Sequence, residues 1–187
     1  MPHSKTKITA HLFALASALL LAGCDSATPQ NYFDRAVLNC NLMHGFASRG
    51  MQGKLESPSV KLKEGTKDQT VPMTRKEIVE NDINSLETAF AKVKKLRETD
   101  DTRAMLQASV ALYEYVLPVY KAEYQQLARL YDENAPRDQI DSLARTIETK
   151  YHAGYAERFD HLTAAAKPYA ERHNIKVKWD IRTAPAP

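Results

Sequence analysis

The stretch TRKEIVENDINSLETAFAKVKKL, Thr74 to Leu96, decides the fold class. Thr74 and Glu77 form a capping-box pattern, in which the hydroxyl accepts a free backbone amide and the carboxylate reaches back to the cap's own amide. A helix therefore starts there. Its large apolar residues Val79, Ile83, Leu86, Phe90 and Val93 are spaced four, three, four and three apart, which keeps one seam on one face over four turns. Lys92, Lys94, Lys95 and Arg97 crowd the carboxyl end, where positive charge complements the helix dipole.

Reading toward the C-terminus, ETDDT (98–102) is a short break rich in capping residues. So short a connection makes its flanking helices antiparallel neighbours. A second long helix is predicted from about Thr102 to Tyr131, with Leu106, Tyr113, Tyr120, Tyr124 and Leu127 on its apolar face. Pro118 falls inside it and predicts a kink, or two helices meeting at Leu117, because the ring removes a backbone donor and collides with the preceding turn. DENAP (132–136) is a second tight connection. Ile140, Leu143, Ile147, Tyr151, Tyr155, Phe159, Leu162, Ala166 and Tyr169 then mark a third long helix, with bends predicted at Gly154 or Pro168 and an end at Asn174. IKVKW (175–179) alternates apolar and charged residues, so Trp179 is expected to dock on the bundle.

Reading toward the N-terminus, residues 47–73 hold Gly50, Gly53, Gly65, Pro58 and Pro72 with few large apolar groups, and predict a flexible loop. Phe33, Val37 and Cys40 predict a shorter helix within 31–46. The expected fold is all-α: an antiparallel bundle of three long helices in residues 74–179, plus the shorter N-terminal helix, with 180–187 as a disordered tail. No internal repeat is evident.

The first residues follow a different logic. Lys5 and Lys7 precede Ile8 to Ala22, an apolar run of fifteen residues interrupted by Thr9, His11 and Ser17. Crossing the hydrocarbon core takes roughly 20 apolar residues, so the run is too short for a stable span and reads as an export signal in 1–23. Leu21-Ala22-Gly23-Cys24 resembles the bacterial lipobox. The resemblance implies a lipoprotein: diacylation of the Cys24 sulfur, cleavage after Gly23, and a short tether over 24–30. Each buried methylene contributes about 0.8 kcal/mol and one chain alone anchors only marginally, so two or three chains would hold the domain on a membrane. Asp25 resembles the enterobacterial signal that retains a lipoprotein in the inner membrane. The implied location is the cell envelope, facing the periplasm, with the inner membrane favoured over the outer.

Composition limits what the body can bind. Of 187 residues, 43% are apolar and 26% charged, which suits one globular domain. The net charge of +3 falls to +1 once the first 23 residues, with their two lysines and no carboxylate, are set aside. That balance gives no nucleic-acid footprint. With Cys24 acylated, Cys40 is the one remaining thiol, either a small buried residue or a thiol free for an intermolecular bond.

Catalytic and metal motifs were sought by their spacing. The Glu-x-x-His pair of di-iron bundles, the His-Glu-x-x-His of zinc proteases, the phosphate loop and the dinucleotide glycine pattern are all missing from the sequence. Glu148 with His152, and Glu157 with His161, are four apart, a spacing that suits surface pairs. Cys40 and His44 are also four apart, close to Met43 and Met51, but soft ligands near one another do not make a copper site. No catalytic residue, metal or cofactor is expected. The sequence points to a non-enzymatic envelope protein whose bundle binds another protein or an envelope component. The alternative is a small-ligand or metal-binding bundle, with Tyr115, Tyr124, His152 and His161 as lining residues. An envelope hydrolase is the last choice.

Overall fold

The computed structural model describes residues 27–179. The lipobox-like residues Leu21, Ala22, Gly23 and Cys24, the expected sorting residue Asp25 and the 180–187 tail lie outside those residues. The described chain is mostly helical. Its elements in order are α1 (Pro29–Ala36), a 3-10 helix (Leu38–Met43), α2 (Arg49–Glu56), strands β1 (Val60–Leu62) and β2 (Thr70–Pro72), α3 (Arg75–Lys94), α4 (Arg103–Val119), a π turn (Tyr120–Tyr124), α5 (Gln125–Asp132) and α6 (Arg137–Arg172).

Helix α3 forms as its termini dictate. The Thr74 hydroxyl accepts the Glu77 amide and the Glu77 carboxylate accepts the Thr74 amide, completing the capping box. A second cap comes from far along the chain: the Asp132 carboxylate accepts the Arg75 amide at 2.8 Å and the Lys76 amide at 2.9 Å. Those two amides have no partner within the helix, so a remote carboxylate both satisfies them and complements the helix dipole. The contact also fixes direction, since the end of α5 meets the start of α3. At the other end Asp101, just before α4, holds Arg172 and His173 at the end of α6. Consecutive rods therefore run antiparallel.

Pro118 neither breaks the second rod nor splits it at Leu117. Its ring supplies no N–H to the preceding turn, and the backbone widens into the π turn directly after it. The wider turn brings residues four apart almost into register. Tyr120 and Tyr124 are accordingly both buried, with ring centroids 4.9 Å apart. Helix α6 runs unbroken through Gly154 and Pro168 for 36 residues. Beyond it Asn174 takes a left-handed conformation, φ 53°. Ile175, Val177 and Trp179 then pack on the core while Lys176 and Lys178 face outward, and Trp179 meets Phe33 edge-on at 5.8 Å.

The region before α3 requires two corrections. The expected single helix over 31–46 is α1 followed by a 3-10 helix, starting earlier than expected because the Thr28 hydroxyl caps Asn31 and Pro29 suits a first turn. Residues 47–73, expected as a flexible loop, hold α2 and a β hairpin. Ser48 caps α2, and Met51 and Leu55 fall on one face, buried in the core. Strands β1 and β2 pair antiparallel, Lys61 opposite Val71. A clean bundle of three long helices plus one is therefore not what forms: a composite N-terminal segment packs across the rods and enters their core.

Candidate functional site

That entry point is the most elaborate side-chain arrangement in the molecule. Between the 3-10 helix and α2 the chain turns sharply at Gly45 and Ala47, both with positive φ, 84° and 46°. Gly45 lies against Gly50 so closely that a Cβ on Gly50 would be 3.0 Å from the Gly45 Cα. The tight turn drives Phe46 into the bundle, where it is 1% exposed. Its ring is enclosed by tyrosines: centroids lie 5.1 Å from Tyr155, 5.9 Å from Tyr120 and from Tyr124, and 6.4 Å from Tyr115.

Polar groups clasp the backbone on either side of the ring. The Ala47 amide donates to the Tyr124 hydroxyl at 2.7 Å, and the Ala47 carbonyl lies 3.1 Å from His152 Nδ1. A carbonyl can only accept, so this contact requires the proton on Nδ1. The Tyr155 hydroxyl donates to the Met43 carbonyl at 3.4 Å. Burial pushes Tyr120, Tyr124 and Tyr155 well above the usual phenol range, since the phenolate form would lose its water. The hydroxyls stay protonated at physiological pH, and those of Tyr124 and Tyr155 act as neutral hydrogen-bonding groups.

Three of the four residues singled out as ligand-lining gather around this turn. Tyr124 and His152 clasp Ala47, and Tyr115 flanks Phe46 while its hydroxyl donates to the Tyr151 carbonyl at 3.2 Å. Tyr115 also lies beneath the Arg158 guanidinium, 4.2 Å from ring centroid to carbon, and occupies the space that Gly154 leaves open. A Cβ at Gly154 would be 2.4 Å from the Tyr115 hydroxyl. His161 is exposed on α6 and does not join the group. Neither expected Glu–His pair forms among the described residues; His152 turns to Ala47 rather than to Glu148. The tyrosines thus converge as a box, and the protein's own Phe46 fills it. Sequence reasoning missed Phe46; the available signal was a lone aromatic between glycines, facing a tyrosine-rich helix pair that lacked a partner.

Cys40 occupies a second buried cluster. It is 1% exposed, with its thiol donating to the Ala36 carbonyl at 3.4 Å, and burial pushes its pKa up to about 12. Ser109 and Tyr113 lie beside it, and among the described residues neither hydroxyl meets the geometry of a hydrogen bond. His44 is exposed while Cys40 is enclosed, so their spacing does not bring the two together as metal ligands. Among the described residues no three His, Cys, Asp or Glu side chains are grouped to hold a metal ion, and no helix there is long and apolar enough to cross a membrane. In comparisons with protein-family models, curated proteins and solved structures, no match to this chain was found.

Proposed function

We propose that this chain is a lipid-anchored protein of the bacterial envelope, its helical body facing the periplasm and binding a second envelope protein without catalysing a reaction. The observation that carries the reading is Leu21-Ala22-Gly23-Cys24 at the end of a basic and then apolar leader. Acyl chains on Cys24 would tie the body to the bilayer, and Asp25 favours the inner membrane. The start of α1 at Pro29 supports a short tether, because only Asp25 to Thr28 separate the modified cysteine from the first helix.

In this reading the body is an antiparallel frame of three long rods, α3, α4 through α5, and α6, with the N-terminal segment as its fourth part. Exposed apolar side chains support a protein partner. Val60 and Leu62 are 61% and 60% exposed, and alternate residues of a strand share one face. Leu38 and Leu42 are exposed along the 3-10 helix, Leu42 beside a shallow depression that reaches Asn84 and Lys92 on α3.

Replacing Cys24 tests the anchor. Cys24→Ser should leave an uncleaved precursor without added lipid mass, read by intact mass spectrometry of the membrane fraction. A normally processed, acylated product from that variant would overturn the reading. Crosslinking the anchored protein in intact cells should yield one stoichiometric protein adduct, and the loss of that adduct in a Val60→Asp, Leu62→Asp variant would assign the hairpin face as the contact.

A further inference from the structure

Charge is distributed unevenly along the rods. The end where α3 closes, α4 opens and α6 closes comprises residues 92–103 and 167–178, which hold nine Lys or Arg against four Asp or Glu. This end is therefore +5, whereas the chain from Cys24 onward is +1, so the rest of it carries −4. Three of the four acids are already engaged: Arg103 holds Glu98 and Asp100, and Arg172 with His173 holds Asp101. Lys94, Lys95, Arg97, Lys167, Lys176 and Lys178 are exposed and make no ion pair among the described residues.

The N-terminus arrives at the same end. The Tyr32 hydroxyl donates to the Arg97 carbonyl at 3.0 Å, and the Tyr169 hydroxyl donates to the Pro29 carbonyl at 3.3 Å. An extended chain advances at most 3.6 Å per residue, so Cys24 lies within about 14 Å of Thr28 whatever path the tether takes. Membrane surface potentials act within a Debye length, about 8 Å at physiological ionic strength. An anchor on Cys24 therefore lets this basic end, and not the hairpin end, reach the headgroups.

We infer that the basic end is a seat for an anionic phospholipid surface, which orients the body with α1 toward the membrane and the hairpin away from it. This rests on the anchor reading for delivery, and on its own charge pattern for recognition. Lysines spread over three segments recognise a field of like charges rather than one ligand, because they do not converge on a point. Each Lys or Arg near such a surface strengthens binding roughly fivefold. The hairpin end differs, since Lys61 there is already paired with Glu77.

Trp179 is the single tryptophan of the chain and lies at the basic end, under Lys167 and against Phe33. The test uses the full chain, processed by its native host and reconstituted in vesicles of phosphatidylcholine, alone or mixed with phosphatidylglycerol. Both kinds carry trace dansyl headgroups. Energy transfer from Trp179 to dansyl should be stronger in the anionic vesicles and fall to the zwitterionic level in high salt. Combined Lys94→Gln, Lys95→Gln, Lys176→Gln and Lys178→Gln should abolish the difference, while Lys61→Gln, Lys63→Gln and Lys67→Gln on the hairpin should leave it intact. If the fourfold variant shows an altered melting curve, Lys176→Gln with Lys178→Gln, outside any helix, should still reduce the difference.

Equal transfer in both vesicle types at low salt, or a difference that survives both sets of substitutions at the basic end, overturns the proposal. Intact mass of the same preparation reads the anchor separately. A Cys24 without acyl mass defeats the anchor reading. Adding that unacylated protein to the vesicles then still decides the seat, upheld by salt-sensitive transfer selective for phosphatidylglycerol and overturned by its absence.

Discussion

Residues 43–56 and 57–73 both intersperse a few apolar residues among glycine, lysine and serine, yet they have opposite fates. The first segment enters the core: Met43, Phe46, Ala47, Met51 and Leu55 are all 3% exposed or less. The second stands out as a hairpin whose β1 is exposed along its length. The first holds three glycines and one lysine, the second one glycine and three lysines. What decides their fates is the placement of a few large apolar groups relative to glycines that allow a sharp turn, and the presence of a cavity-shaped partner elsewhere in the chain.

The strongest way to break this comparison is to empty the tyrosine box. Phe46→Ala removes a ring touched by four others, and large aromatic truncations in a core cost about 3–5 kcal/mol. Urea denaturation should show the loss as a lower midpoint. Cys40, enclosed by the same N-terminal segment, supplies an independent readout. Burial encloses its thiol and raises its pKa, so it should resist a thiol reagent in the wild type and become accessible in the variant before the far-UV signal is lost. A variant with wild-type stability would mean that the segment does not hold the rods together.

Two smaller changes ask which part of the turn matters. Tyr124→Phe keeps the ring and deletes the acceptor of the Ala47 amide, leaving a buried N–H without its partner at a cost of roughly 1–3 kcal/mol. The chevron arms should show whether that cost slows folding or speeds unfolding. Gly45→Ala keeps every side-chain contact and strains only the backbone: at φ 84° an L-residue suffers a steric penalty, and its Cβ would meet Gly50 at 3.3 Å. A loss of about 1–2 kcal/mol is expected, read from the thermal midpoint. If Gly45→Ala proves costlier than Phe46→Ala, the turn and not the ring sets the position of the segment.

Local signals were legible and long-range ones were not. Thr74, Glu77 and the four-three seam located α3, because a cap and a period depend on residues within a turn or two. Asp132 as the second cap of the same helix was not legible, since nothing near it in sequence shows that its carboxylate meets Arg75. Pro118 announced a disturbance, but a π turn and a break begin from the same missing amide, and only packing of Tyr120 and Tyr124 favours the former. At the site, Tyr115, Tyr124 and His152 stood out as residues with chemistry, whereas Phe46, one aromatic beside a glycine, carries no periodic or motif signal that would single it out. His161 was chosen for spacing alone, and spacing on a helix does not say which neighbour, if any, lies opposite.

The smallest expected effect is the other half of the comparison. Val60→Thr and Leu62→Ala, singly or together, act on side chains 61% and 60% exposed, on a strand held to the body through Lys61 and Glu77 rather than through an apolar face. Exposed substitutions of this kind change stability by about 0.5 kcal/mol or less. A three-residue strand with so little buried area presents an exposed apolar edge, which invites association and gains nothing for the monomer. The pair of substitutions should therefore leave the urea midpoint in place while weakening the protein contact proposed for the hairpin face. A large drop in midpoint would mean that the hairpin packs on the body as α2 does, and the contrast between the two segments would disappear.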